Sequence, residues 1–198
     1  MQQQQTVNHR NQTAYAVISA AVLLCLAPVC PSAAQDNTVD AMCLLEGHNT
    51  LRASVGVPEL HWSDALTRQA ATWAEELKKV GCGMKHSHVA KIGENLYWAS
   101  PLKTGNRSKG KSIWRWSLTQ QPIKEENVVA AWAVEQPWYS QANNTCDAPP
   151  GKTCGHYTQM VWADTKEVGC AKAVCDDNSQ VWVCNYAPAG NVVGQRPY

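Results

Sequence analysis

A single histidine, His156, opens the stretch from Gly155 to Thr165, GHYTQMVWADT, two residues after Cys154 and just ahead of an apolar, aromatic run. A cysteine staple behind it and a packed tryptophan ahead would fix an imidazole in place, which is what metal ligation or proton transfer asks of a histidine. A second histidine-bearing segment, Gly83-Met84-Lys85-His86-Ser87-His88, follows Cys82. Gly93 beside Glu94 predicts a backbone turn that sets one carboxylate at a defined site. Glu135 is expected on the last turn of a helix, where its charge opposes the dipole, so a partner should hold it. Direct support for catalysis is missing: there is no HExxH pair, no Gly-x-Ser-x-Gly elbow and no cysteine nucleophile with a free partner.

These residues need elements to position them. The spacing of Val39, Met42, Cys43, Glu46 and Leu51 predicts a first helix over Val39 to Ala53 with one apolar stripe, stopped by Val55-Gly56-Val57-Pro58. Ser63 reads as the N-cap of a second helix, in which Leu66, Ala70, Trp73, Ala74 and Leu77 recur at helical spacing before Lys78-Lys79 and Gly81 end it. A third is predicted from about Asn127, burying Val128, Val129 and Trp132 and ending at Pro137. After Trp162 the period becomes that of strands, Glu167 to Cys175 and Gln180 to Ala187, turned by Asp176-Asp177-Asn178-Ser179. A hairpin centred on Asp177 faces Cys170 with Cys184 and leaves Cys175 for a distant partner such as Cys82, while Cys146 and Cys154 can close a local loop. Six cysteines allow many other pairings, so this scheme is one choice among them.

The chain has 198 residues and nine cysteines. Its first 34 residues hold no acidic side chain, carry Arg10 ahead of an apolar run from Ala14 to Val29, and close on Ser32-Ala33-Ala34, the pattern of a cleaved secretory signal. The run is shorter than the ~20 residues of a spanning helix, so no membrane span is expected in the mature chain. Cleavage leaves residues 35–198 as a single domain able to bury its own core, with seven cysteines suited to an oxidising, extracellular destination. Removing Arg10 leaves 16 basic and 16 acidic residues, so no net charge draws the mature chain to nucleic acid. The segment at about residues 100–124 departs from this balance: Lys103, Arg107, Lys109, Lys111, Arg115 and Lys124 interleave with Trp114 and Trp116. It reads as a solvated surface loop, with a ligand-facing or anion-facing loop as the alternative. Asn106-Arg107-Ser108 and Asn143-Asn144-Thr145 are glycosylation sequons.

Four stretches together resemble the CAP superfamily, and within it the plant pathogenesis-related proteins of class 1: HNTLRASVGVPELHW (His48 to Trp62), GENLYW (Gly93 to Trp98), GHYTQMVWADT and VWVCNYAPAGNVVGQRPY (Val181 to Tyr198). The resemblance implies an α+β fold, a three-layer α-β-α sandwich with a central antiparallel sheet and an open cleft, and it supports the bridges Cys82–Cys175, Cys146–Cys154 and Cys170–Cys184. Cys43 is then left over and, on an apolar helical face, is expected to be buried. The resemblance also implies a cleft tetrad of His86, Glu94, Glu135 and His156. Two neutral imidazoles with carboxylates accepting their second ring N–H suit zinc or another divalent cation. His88 competes for the place of His86, whereas His48 and His61 read as structural. The stretch between Leu96 and Val128 is longer than in typical plant members. The chain also has no Phe and nine Trp, which would fill the core or line a lipid groove.

The function that the resemblance implies is that of a secreted, monomeric binding protein of the defence type, whose cleft engages a small apolar or sterol-like ligand with or without metal. One alternative is a metal-assisted hydrolase built on the tetrad. Another is a precursor of a signalling peptide, because PAGNVVGQRPY, residues 188–198, resembles the fragment released from plant members after a Cys-Asn-Tyr-x sequence.

Overall fold

The computed structural model describes residues 38–107 and 114–198; the secretory signal expected over residues 1–34 lies outside the described residues. In chain order the elements are α1 (Ala41–Ser54), β1 (His61–Trp62), α2 (Asp64–Lys79), β2 (Gly93–Ala99), β3 (Leu102–Arg107), β4 (Trp114–Thr119), α3 (Glu125–Ala133), β5 (Tyr139–Ser140), β6 (Thr145–Cys146), α4 (Gly155–Met160), β7 (Glu167–Val174) and β8 (Gln180–Ala187). The central sheet runs β1-β7-β8-β2. Its three long strands are antiparallel as expected, but β1 joins the edge of β7 in parallel. His61 is exposed on that edge and contributes through its main-chain N–H to Lys166 O at 2.9 Å, so its structural part is played by the backbone alone.

Helix α2 covers one face of the sheet, packing Ala70, Ala74 and Leu77 on Ala171, Ala173, Val181 and Val183. The other face carries Cys170, Trp182, Cys184 and Tyr186 beneath Leu44 of α1, Val128 and Trp132 of α3, and Met160 of α4. This is the three-layer α-β-α sandwich. Cover on both sides explains why β7 and β8 are buried almost without alternation. At Gly169 a Cβ would run into the backbone of Ser63, Leu66 and Thr67, so a glycine is what lets the first turn of α2 touch β7. Ser63 precedes α2 as predicted, yet its side chain makes no capping bond. Its main chain is held by the sheet instead, the N–H donating to Val168 O at 2.9 Å.

Helix α1 is capped by Asp40, whose carboxylate accepts from the N–H groups of Met42 and Cys43 at 3.0 Å each. Its buried side is Cys43, Leu44, His48 and Arg52, and Met42 of the predicted stripe is 72% exposed. The stripe is rotated because two of its members are a histidine and an arginine, which hydropathy does not mark. Helix α3 begins at Glu125, two residues before the predicted Asn127, because Asn127 itself serves the cap: its Oδ1 accepts from the N–H of Lys124 at 2.9 Å. The basic segment forms the antiparallel hairpin β3–β4 in place of an irregular loop.

The three bridges are Cys82–Cys175, Cys146–Cys154 and Cys170–Cys184, the last between directly opposed residues of β7 and β8. Cys43 is buried as expected but is not left over, because it is disulfide-bonded. No described helix is long and apolar enough to cross a membrane.

Candidate functional site

Helix α3 stops at Ala133, short of Pro137, and Glu135 stands at the entry to a 3-10 turn over Gln136–Trp138 that the proline favours. Freed from the helix, its carboxylate reaches the start of α4. Oε2 accepts from the main-chain N–H groups of His156 and Tyr157 at 2.9 and 3.1 Å, and Oε1 accepts from His156 Nδ1 at 2.6 Å. The partner that holds Glu135 is therefore the first turn of the next helix, whose unpaired N–H groups favour an anion. A carboxylate can only accept, so the ring proton lies on Nδ1 and the neutral imidazole keeps a lone pair on Nε2. The buried Trp132 stacks on this ring, with centroids 6.3 Å apart and planes 15° from parallel, and is itself fixed by its indole N–H to Leu96 O at 3.0 Å.

The second pair has the same logic on a different support. Glu94 in β2 accepts through Oε1 from His86 Nδ1 at 2.8 Å and from the N–H of Ser87 at 3.0 Å. The loop that carries His86 is tied down by the Cys82–Cys175 bridge and by the indole N–H of Trp73 on Lys85 O at 2.9 Å. His88, the competitor, has its ring 6.3 Å from that of His86 and does not bond Glu94. The turn predicted at Gly93 is absent: Gly93 opens strand β2, and glycine is required there because a Cβ would collide with the buried side-chain amide of Gln159.

His86, Glu94, Asn95, His156 and Asn191 line one open cavity of about 300 Å³. A neighbouring cavity of about 410 Å³ shares His156 with it, holds Glu135, and is walled by Met84, Leu96, Trp98, Ala131 and Trp132, with Lys152 also on its lining. Of the four predicted residues, His86, Glu94 and His156 line the first cavity, while Glu135 lines the second and meets the first only through its bond to His156. Sequence reasoning missed Asn95, Tyr186 and Asn191. The amide of Asn95 donates to His156 O at 3.1 Å and to the Tyr186 hydroxyl at 3.2 Å. That hydroxyl lies 2.8 Å from His48 Nε2, and His48 Nδ1 donates to Leu44 O at 2.7 Å. With its proton committed to the carbonyl, His48 accepts from Tyr186. Burial pushes the His48 pKa down to about 4 and that of Tyr186 up, so both are neutral links. His48 is structural as read, but its chain of bonds ends on the main chain of His156. Alternation along β2, which turns Asn95 away from Glu94, is the signal that could have found this.

Arg52 fixes the segment after α4, donating to the carbonyls of Pro58, Met160, Trp162 and Thr165 at 2.6, 2.9, 2.9 and 3.1 Å. Burial lowers its pKa to about 10, which leaves the guanidinium charged near neutral pH.

Residues 45–186 match the family described as CAP: Cysteine-rich secretory protein family. The chain belongs to this family. Pathogenesis-related protein PRMS of Zea mays is 36% identical over 178 residues, covering 89% of this chain and 92% of that one. Pathogenesis-related protein 1 of Arabidopsis thaliana is 35% identical over 177 residues, with 89% and 92% covered. Among solved structures, that of BmVAL-1 superposes with a TM-score of 0.60 at 24% identity, covering 80% of this chain and 81% of that one. NaASP2, solved with Zn²⁺, gives 0.57 at 23% identity, with 82% and 88% covered. These two likenesses bear on the CAP fold alone.

The tail of this CAP chain, residues 188–198, is stitched to the body. Thr165 Oγ1 donates to Pro188 O at 2.9 Å, the N–H of Gly190 to Gln159 Oε1 at 3.0 Å, and the Asn191 amide to Gly155 O at 2.9 Å. The Tyr157 and Tyr198 hydroxyls meet at 2.8 Å. Ala187 O, at the bond where a peptide would be released, accepts from the N–H of Lys166 at 2.9 Å.

Proposed function

We propose that this chain is a secreted, defence-type CAP protein whose cleft holds a divalent cation, zinc foremost, through Nε2 of His86 and Nε2 of His156, beside a groove for a sterol-like or other apolar ligand. One observation carries the reading: each imidazole gives Nδ1–H to a carboxylate and lines the same cavity, so each keeps its Nε2 lone pair for a shared guest. Among the described residues no three His, Cys, Asp or Glu side chains gather into a ready cage. The donor set fits a site with two protein ligands, in which water or the organic ligand takes the other positions and the glutamates stay on the rings. Zinc bound there would supply a Lewis acid. NaASP2, of the same fold, was solved with Zn²⁺.

The groove reading rests on the apolar walls of the neighbouring cavity, whose volume falls within the ~300–1,000 Å³ of small-molecule pockets. Secretion is supported by the signal-like N-terminus and by bridges that need an oxidising compartment; the defence role is supported by the plant pathogenesis-related relatives.

Calorimetric titration with zinc chloride tests the site. Binding of modest affinity is expected, weakening in acid because the ligand must be the neutral imidazole, and His86→Ala or His156→Ala should abolish it. Undiminished zinc binding by the double variant would sink the metal reading. A fluorescent sterol should bind the wild type and bind Trp98→Ala poorly. Protease activity that vanishes with a chelator would move the reading to a metal-assisted hydrolase.

A further inference from the structure

The hairpin β3–β4 stands off the body of the molecule. Residues 102–104 and 115–119 are exposed on both of its faces, and its base is pinned by the Asn178 amide on Leu118 O at 3.2 Å and the Gln121 amide on Ser100 O at 2.6 Å. The register pairs Lys103 with Leu118 and Gly105 with Trp116, which puts these four on one face. A Cβ at Gly105 would collide with the Trp116 ring, so the indole lies flat over the glycine backbone. The Lys103 ammonium sits 4.8 Å from the centroid of the same ring. Even so, Trp116 is 60% and Leu118 48% exposed. Two large apolar side chains on this exposed hairpin are kept in water, in a stretch that carries basic residues and no acidic one between Glu94 and Glu125.

We propose that this face of the hairpin is a docking surface for an anionic lipid bilayer, on which Trp116 and Leu118 enter the headgroup boundary while Lys103 beside them meets lipid phosphates. The shape and chemistry select this partner. A two-stranded strip exposed on both faces offers no groove to a protein ligand. Tryptophan is at home at the boundary between headgroups and chains, and lysine can extend its stem along apolar surface with its charge in water. A soluble polyanion would use the cations but would gain nothing from Leu118. The chain as a whole is near neutral, so the attraction is local and falls with salt.

The test is sedimentation of the purified protein with vesicles of phosphatidylcholine alone, or of phosphatidylcholine with phosphatidylserine. Partition is expected onto the anionic vesicles at low salt, little onto the neutral ones, with tryptophan fluorescence quenched by brominated lipid. Lys103→Gln should lower the partition about fivefold, Arg115→Gln on the opposite face should lower it less, and Leu118→Ser should lower it while leaving the indole on Gly105 and the near-ultraviolet circular dichroism unchanged. Trp116→Ala should remove most of the quenching. No partition onto anionic vesicles overturns the proposal. So does binding to polygalacturonate that depends on Lys103 and Arg115 but not on Leu118, without quenching by brominated lipid. Neither outcome touches the zinc site, whose variants lie elsewhere.

Discussion

His156 and His86 each hand the same ring N–H to a glutamate, but what stands behind the two glutamates differs. Glu135 accepts three hydrogen bonds, two from the first turn of α4, and its imidazole is 27% exposed against the buried Trp132. Glu94 accepts two, leaves Oε2 buried without a partner, and serves an imidazole that is 51% exposed on a loop. One half of the cleft is built by secondary structure and core packing, the other by a covalent link and a few loop contacts. The site can thus keep one donor fixed while the other adjusts to what enters.

Breaking the covalent link should have the largest effect. Cys82→Ser with Cys175→Ser opens a link spanning 93 residues and should cost about 4 kcal/mol by chemical denaturation. Local disorder should reach His86 first, followed through its ring signals in nuclear magnetic resonance; equal loss of order at both histidines would break the comparison. Acid should act on the other half. His48 is held neutral with a pKa near 4 against the usual 6.5, so on acidification the unfolded chain takes up its proton first. Stability from this residue is complete above about pH 6.5 and lost progressively toward pH 4, by up to about 3 kcal/mol. His48→Gln should flatten that part of the urea-midpoint profile against pH.

A smaller pair of changes sharpens the contrast directly. Glu135→Gln puts an amide donor among three donors and should cost about 2 kcal/mol, whereas Glu94→Gln should cost about 1 kcal/mol; thermal unfolding of the two variants side by side is the check, and a reversed order would refute the assignment of rigid and adjustable halves. An effect no larger than that of Glu94→Gln, about 1 kcal/mol, is expected from Tyr186→Phe, because Asn95 retains its bond to His156 O while His48 Nε2 loses its donor. It should shift the resonances of His156 and leave those of His86 unmoved.

Much of the sheet and of the cleft is legible in the order of the amino acids. The register of β7 with β8 follows from a local tip and a period of two, so Cys170 opposite Cys184 can be placed by counting. The extent of α1, the run of α2 and the four cleft residues also rest on short ordered stretches. The end of α3 was not legible, because Glu135 leaves the helix only when α4 offers it two N–H groups from 21 and 22 residues away.

What the sequence by itself determined, then, is whatever depends on neighbours along the chain: helical stripes, strand alternation, the hairpin and its opposed cysteines, and the histidines and glutamates that could do chemistry. Tertiary structure alone decided the parallel edge strand β1, the collision that makes Gly93 and Gly169 glycines, the four carbonyls around Arg52, and the path from His48 through Tyr186 and Asn95 to His156. Its links join residues 138, 91 and 61 positions apart. Periodicity reports which side of an element is buried. It carries no record of which polar group on a distant element will be waiting there, and a buried donor or acceptor must find one.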